Sequence, residues 1–284
     1  MAAPFLIPNI YLLIIFGTMS EAPIGIFDSG LGGLTVASAI HRLLPNRSII
    51  YFGDTAHLPY GDKSPKAIRQ YSEKITRFLI EEGCKTIVVA CNTAASIASK
   101  EIAAAAGSEI PSFNVIDPVA RYVAEHYHNQ SIGVIGTKGT IKTRAYPRVI
   151  NSFNASLTVK TMATPLLVPM IEEGFFNNNI SQTIINNYLS NRFLEGISAL
   201  ILGCTHYPLI RKQVEKYYEG KDVAVLDTAN IVAASVAQAI PDKSSNKPVH
   251  RFLVSDFTTS FQNSTRLFFG EKISLEVADL WTNP

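Results

Sequence analysis

Two cysteines stand out in the 284-residue sequence because of the residues around them. Thr86–Ala94 reads T-I-V-V-A-C-N-T-A, and Ala199–Pro208 reads A-L-I-L-G-C-T-H-Y-P. In each, an apolar run leads into a small residue, then a cysteine, then hydrogen-bonding residues able to open a helix. Cys91 and Cys204 therefore fall at the carboxyl end of an expected strand and the amino end of an expected helix, the edge where open α/β sheets bind ligands. Free N–H groups and partial positive charge at such a helix end favour anions, and should lower a nearby thiol from its ordinary value of about 8.5. A thiolate there can accept a proton, and the thiol can return one. A single free cysteine is commonly a small buried hydrophobe, which is how we read Cys84, behind Gly83 at the mouth of a strand.

Two matched thiols suit one kind of chemistry. Inverting a Cα centre requires a base on one face to remove the proton and an acid on the other to deliver one, each working best with a pKa near the ambient pH. A cysteine hydrolase needs one thiol with a His base and an oxyanion hole, leaving the second thiol unexplained. Redox pairs usually sit together as C-x-x-C, whereas these two lie far apart in the chain.

A third turn, Phe27-Asp28-Ser29-Gly30-Leu31-Gly32-Gly33, follows a strand and opens a helix, and Asp54 ends the next strand. This imitates a dinucleotide-binding fingerprint. Gly32-Gly33 breaks the G-x-G-x-x-G spacing, however, and Asp28 would repel a pyrophosphate. A carboxylate at Asp28 better fits an amino-acid ammonium group, or a residue that orients and deprotonates a thiol. The glycines would let backbone N–H groups approach a carboxylate. Six histidines form no H-E-x-x-H, and the cysteines form no C-x-x-C pair, so these motifs offer no metal-ligand set.

The elements that must hold these residues alternate along the chain. Apolar runs at Ile24–Phe27, Ser48–Gly53, Thr86–Ala90, Ser131–Gly136, Ala199–Gly203 and Val223–Leu226 read as buried parallel strands. Amphipathic stretches separate them. One is opened by Pro65, carries Ile68, Tyr71, Ile75, Phe78 and Leu79 at helical spacing, and ends at Gly83. The fold class is α/β, with mainly parallel sheets. The two cysteine turns echo each other, which suggests two pseudo-symmetric lobes with the site in the cleft between them. Residues 116–224 would form the second lobe, with a loop at Pro241–Pro248; that 225–284 return to join 23–115 in the first lobe is an expectation drawn from the family resemblance given below.

Hydrophobic residues at 47% and charged residues at 17% describe a well-packed globular chain. A net charge of +2 with no basic block argues against nucleic acid as a partner. Three scattered cysteines are too few for a disulfide framework and point to a reducing, cytoplasmic setting. Residues 1–22 read as an extension, with Met19 as the expected functional start. Its apolar run Phe5–Phe16 is too short to span a membrane, is broken by Pro8 and Asn9, and has no cationic flank. No stable membrane association is expected.

Asp28–Val36 (D-S-G-L-G-G-L-T-V), Asp54–Gly61 (D-T-A-H-L-P-Y-G), Val88–Ala94 and Leu202–Leu209 (L-G-C-T-H-Y-P-L) stand in register. Together they resemble the glutamate racemase family, within the cofactor-independent aspartate/glutamate racemases, from about Ile24 to the last strand. The resemblance implies that Cys91 and Cys204 are acid–base thiols, one for each enantiomer. It implies that Asp28 and Ser29 bind substrate, with Asp28 assisting the neighbouring thiol. Tyr60, Gly61, Asn92, Thr93 and Thr205 would hold the carboxylates and ammonium of glutamate, while His206 assists Cys204. Glu172, chosen over Glu173, would be the supporting acid; Thr137 and Thr140, in G-T-K-G-T, fit either the lining of the same cleft or a plain polar turn. It further implies a homodimer without cofactor that supplies D-glutamate for peptidoglycan.

Two alternatives stand beside this reading. One is a racemase of aspartate or a related acid in the same family. The other is a non-catalytic binding protein on the racemase fold, since fold does not fix function.

Overall fold

Strand β1 (Ile24–Asp28) is buried along its whole length, as expected of a strand covered by helices on both faces. The computed structural model describes residues 22–242 and 246–282. Flanking β1 are β2 (Ile49–Gly53) and β3 (Thr86–Val89), both parallel to it, with Phe27 opposite Phe52 and Val89. The sheet is extended on one side by β4 (Ser112–Asn114) and on the other by two late strands, β9 (His250–Val254) and β10 (Leu275–Val277), giving the order β10-β9-β2-β1-β3-β4. A second parallel sheet has the order β6-β5-β7-β8, from β5 (Ser131–Gly136), β6 (Thr158–Ala163), β7 (Ala199–Gly203) and β8 (Ala224–Leu226). The described chain is thus a two-sheet α/β fold, as the alternating pattern predicts. The first sheet draws its strands from 24–114 and 250–277, the second from 131–226.

Helices connect successive strands. Helix α1 (Leu34–Leu43) follows the first glycine turn, and α2 (Pro65–Glu81) follows β2. Ser64 caps α2 by accepting from the Ala67 N–H at 3.2 Å, Pro65 fills the first turn, and Gly83 turns the chain at φ +88°. Ile68, Ile75 and Leu79 form its buried stripe, packed against α3 (Asn92–Ala106). Helix α4 (Asp117–His126) carries the chain out of the first sheet and α10 (Thr228–Ala239) carries it back; the two pack together. Between them lie α5 (Lys138–Lys142), α6 (Ala145–Phe153), α7 (Leu167–Glu172), α8 (Asn179–Leu189) and α9 (Arg211–Tyr218). Helix α11 (Thr259–Phe269) precedes β10.

The structure differs from the sequence-based reading in a few places. Strands β4, β6, β9 and β10 carry no long apolar run. β4 has three residues, β6 (T-V-K-T-M-A) is a part-exposed edge strand, and β9 begins with His250 and Arg251. The turn after Cys204 opens a 3-10 segment, Tyr207–Ile210, before α9 begins, so the echo between the two cysteine turns is incomplete. Met19 and the apolar run at 5–16 lie outside the described residues, as does part of the Pro241–Pro248 loop. Among the described residues no helix is long and apolar enough to cross a membrane.

Candidate active site

Both thiols stand at the carboxyl ends of central strands, one from each sheet. Cys91 follows β3 and is the N-cap of α3, where its sulfur accepts from the Ala94 N–H at 3.4 Å. Its thiol also points at the Ser29 hydroxyl, 3.6 Å away. Cys204 follows β7, and its sulfur lies 3.7 Å from Nδ1 of His206. On the far side of that ring, Nε2 meets Glu172 Oε1 at 3.0 Å. Of the two adjacent acids weighed at this position, Glu172 is the one that reaches the histidine.

Asp28 ends β1 with its carboxylate fully buried. It accepts from the Gly30 N–H at 3.0 Å and from the Thr205 hydroxyl at 3.3 Å, so the first turn is tied to the second cysteine turn. A further link comes from Thr35 of α1, which donates to the Thr205 carbonyl at 3.1 Å. The glycines of this turn are required by proximity. A Cβ on Gly32 would lie 2.5 Å from the His206 ring, and one on Gly33 would lie 2.5 Å from Asp28 Cβ.

The third side of the site comes from residues 58–61 and from α5. The hydroxyls of Thr93, Thr137 and Thr140 lie 3.0–3.2 Å from one another, joining α3 to the N-terminus of α5 across the sheets. Gly61 packs against Thr137, where a Cβ would lie 3.1 Å from the threonine Cβ. Asn92 accepts from the Tyr146 hydroxyl at 2.7 Å. Tyr146 was not singled out in the sequence; nothing in A-Y-P marks it, because its partner lies on the other sheet.

These elements enclose a cavity of about 30 Å³ lined by Ser29, Tyr60, Gly61, Cys91, Asn92 and Thr93 on one side and Thr137, Glu172, Cys204, Thr205 and His206 on the other. That is room for one or two water molecules. Every residue named in the sequence as a site candidate lines this cavity except Asp28 and Thr140, which sit directly behind it as hydrogen-bond partners of Thr205 and Thr93. Cys84 is buried elsewhere, its sulfur 3.0 Å from where a Gly25 Cβ would be, in keeping with its reading as a hydrophobe.

The electrostatics correct one expectation. Burial, with the Asp28 carboxylate adding to it, pushes the Cys91 thiol up to about 12, outweighing the Ala94 N–H and the Ser29 hydroxyl. The helix end therefore orients this sulfur without making it a resting thiolate. His206 moves by a different balance: burial pulls its value down, but hydrogen bonds to Cys204 and Glu172 prevail and raise it to about 10. At neutral pH His206 is an imidazolium, able to donate from Nδ1 toward Cys204 and from Nε2 to Glu172. The site thus offers one protonated thiol and, opposite it, one sulfur served by a cation. Among the described residues no cluster of three or more His, Cys, Asp or Glu could hold a metal ion.

The chain is similar in sequence and fold to known racemases. Residues 24–236 match the model of the Asp/Glu/hydantoin racemase family. A glutamate racemase of Geobacter metallireducens is 40% identical over 255 residues, covering 88% of this chain and 93% of that protein. One from Neisseria meningitidis is 38% identical over the same shares. The crystal structure of glutamate racemase from Francisella tularensis in complex with D-glutamate superposes with a TM-score of 0.85 at 35% identity, covering 92% of this chain and 98% of that one.

Proposed function

The chain belongs to the Asp/Glu/hydantoin racemase family and is a racemase, an isomerase; from that premise we propose that it interconverts L- and D-glutamate by a two-thiol, two-base mechanism without a cofactor. The observation that carries this is the placement of Cys91 and Cys204 in one cavity, each at the end of a central strand of a different sheet. The two lobes of the proposal are the chain around the first sheet and the chain around the second, meeting at this cavity.

In one direction the Cys204 sulfur takes the Cα proton while the Cys91 thiol gives its own to the opposite face. The reverse reaction exchanges the two protonation states. His206 accompanies Cys204 through both, its charge balanced by Glu172. Ser29 and the Ala94 N–H steady Cys91 whenever it carries charge. Asp28, Tyr60, Gly61, Asn92, Thr93 and Thr205 surround the substrate's ammonium and carboxylates. The cavity of about 30 Å³ adjoins two larger spaces, of about 220 and 280 Å³, that share Glu172 with it, and these give the substrate a way in. We place the enzyme in the cytoplasm as a homodimer supplying D-glutamate for peptidoglycan, in line with the family resemblance.

The test is incubation with L-glutamate in heavy water, following Cα deuteration and loss of optical rotation, with aspartate in parallel. Wild type should exchange and racemise glutamate. Cys91→Ser and Cys204→Ser should each lose racemisation by about 10²–10⁴-fold, the usual worth of a positioned acid or base. Preference for aspartate would move the substrate assignment, and inertness toward both acids would favour a binding protein.

A further inference from the structure

Asp54 immediately follows β2, and its carboxylate is fully buried. Four side chains converge on it. The Tyr60 hydroxyl donates to Oδ2 at 2.7 Å, and Ser255 Oγ and Trp281 Nε1 donate to Oδ1 at 2.8 and 2.9 Å. His57 Nδ1 lies 3.0 Å from both oxygens. The donors come from two places: His57 and Tyr60 belong to the segment that walls the active cavity, while Ser255 and Trp281 belong to the chain after β9 and β10. An aromatic cluster reinforces the junction. His57 stacks on Tyr71 at 4.1 Å between centroids, and the Trp281 ring meets His57 at 4.6 Å and Tyr71 at 5.2 Å. The same segment is further stitched to the C-terminal chain by two backbone–side-chain hydrogen bonds, Ala56 N–H to Ser255 Oγ at 2.9 Å and Asp256 N–H to Thr55 Oγ1 at 2.9 Å.

A buried carboxylate is costly unless its lone pairs are filled, and here filling them fixes the Tyr60 hydroxyl and with it the Tyr60–Gly61 wall. The geometry points to Asp54 as a positioning residue for the substrate-binding segment, with Trp281 as the clasp through which the C-terminal chain holds it. This rests on the reading of Tyr60 and Gly61 as substrate-binding residues. Asp54 itself touches no substrate; it acts through Tyr60.

Trp281 is the sole tryptophan of the chain, so its indole N–H gives a single resonance in tryptophan-labelled protein. In the ligand-free protein, Tyr60→Phe removes one donor from Asp54 and should displace that resonance, whatever the substrate proves to be. An unmoved resonance overturns the proposal. With D-glutamate as substrate, Trp281→Phe keeps an aromatic ring but deletes the indole donor. It should raise KM by about tenfold with kcat within about twofold, because a misplaced wall weakens binding of ground and transition states alike. Ser255→Ala, which leaves the aromatic cluster intact, should shift KM in the same direction. If both variants keep wild-type KM at unchanged thermal midpoint, the clasp has no bearing on the site and the proposal falls. Failure of wild type to racemise glutamate would count against the functional reading alone, since the resonance measurement uses no substrate.

Discussion

The two cysteine turns begin alike and end differently. Cys91 caps a helix of fifteen residues and is held by a backbone N–H and a serine hydroxyl. Cys204 leads into a four-residue 3-10 segment and is served by a histidine–glutamate pair. The first turn leaves its thiol neutral, because burial and Asp28 outweigh the helix end. The second brings a titratable cation to its sulfur. The two thiols thus differ both in the backbone that follows them and in the side chains they meet, and the proposed mechanism draws on that difference. A helix N-terminus alone is worth only a fraction to about 2 kcal/mol, which burial overrides.

The strongest challenge to this contrast is chemical labelling of Cys91 in a Cys84→Ser, Cys204→Ser background. With its value near 12, Cys91 should react with iodoacetamide at pH 8 roughly a thousandfold more slowly than a free thiol of ordinary pKa about 8.5. Reaction at the free-thiol rate would erase the difference between the turns. Next in size is Glu172→Gln, which removes the carboxylate that supports the His206 imidazolium. Racemisation should fall by about 10- to 100-fold, and the His206 titration, read by NMR, should move down from about 10.

The same histidine gives a pH signature. Its folded value lies above the unfolded value of about 6.5. Its stabilising contribution is therefore whole below pH 6.5 and is lost as pH rises through about 10. Urea midpoints at pH 7 and pH 10 should drop further for wild type than for Glu172→Gln; parallel drops would assign the loss to other groups. The smallest effects separate the turns sterically. Gly32→Ala presses on the His206 ring and Gly33→Ala on Asp28, each costing about 1–3 kcal/mol as overpacking. Gly32→Ala should shift the His206 titration more than Gly33→Ala, which reaches the histidine only through Asp28 and Thr205, and equal shifts would erase that distinction.

Much of this was legible before the structure. Parallel strands buried on both faces write themselves as continuous apolar runs, so β1, β2, β3, β5 and β7 were identified to within a residue or so at their ends, and the short edge strand β8 was identified from its own apolar residues. The edge strand β6 carries no such run, β9 begins with His250 and Arg251, and β10 is three residues with Glu276 at its centre, so the completion of the first sheet by the late chain rested on family resemblance. The site candidates came from strand–turn–helix positions and from adjacency, as with Cys204 and His206. What adjacency could not supply were contacts across the cleft. Tyr146 on Asn92 and Thr205 on Asp28 join residues 54 and 177 positions apart. Asp54 was visible only as a residue ending a strand about 20 positions after the glycine turn, where a dinucleotide protein would place a ribose ligand. Its real partners, Ser255 and Trp281, stand 201 and 227 residues further on.

That separation has a consequence for how the molecule is born. The second sheet is written in one uninterrupted stretch, 131–226, and can assemble while the rest of the chain is still being synthesised. The first sheet waits, because β2 has no outer neighbour until β9 arrives and Asp54 lacks two of its donors until Ser255 and Trp281 have left the ribosome. Contacts of such long sequence separation form late and slowly. A nascent chain therefore carries both thiols long before Ser255 and Trp281 arrive to settle the segment beside them.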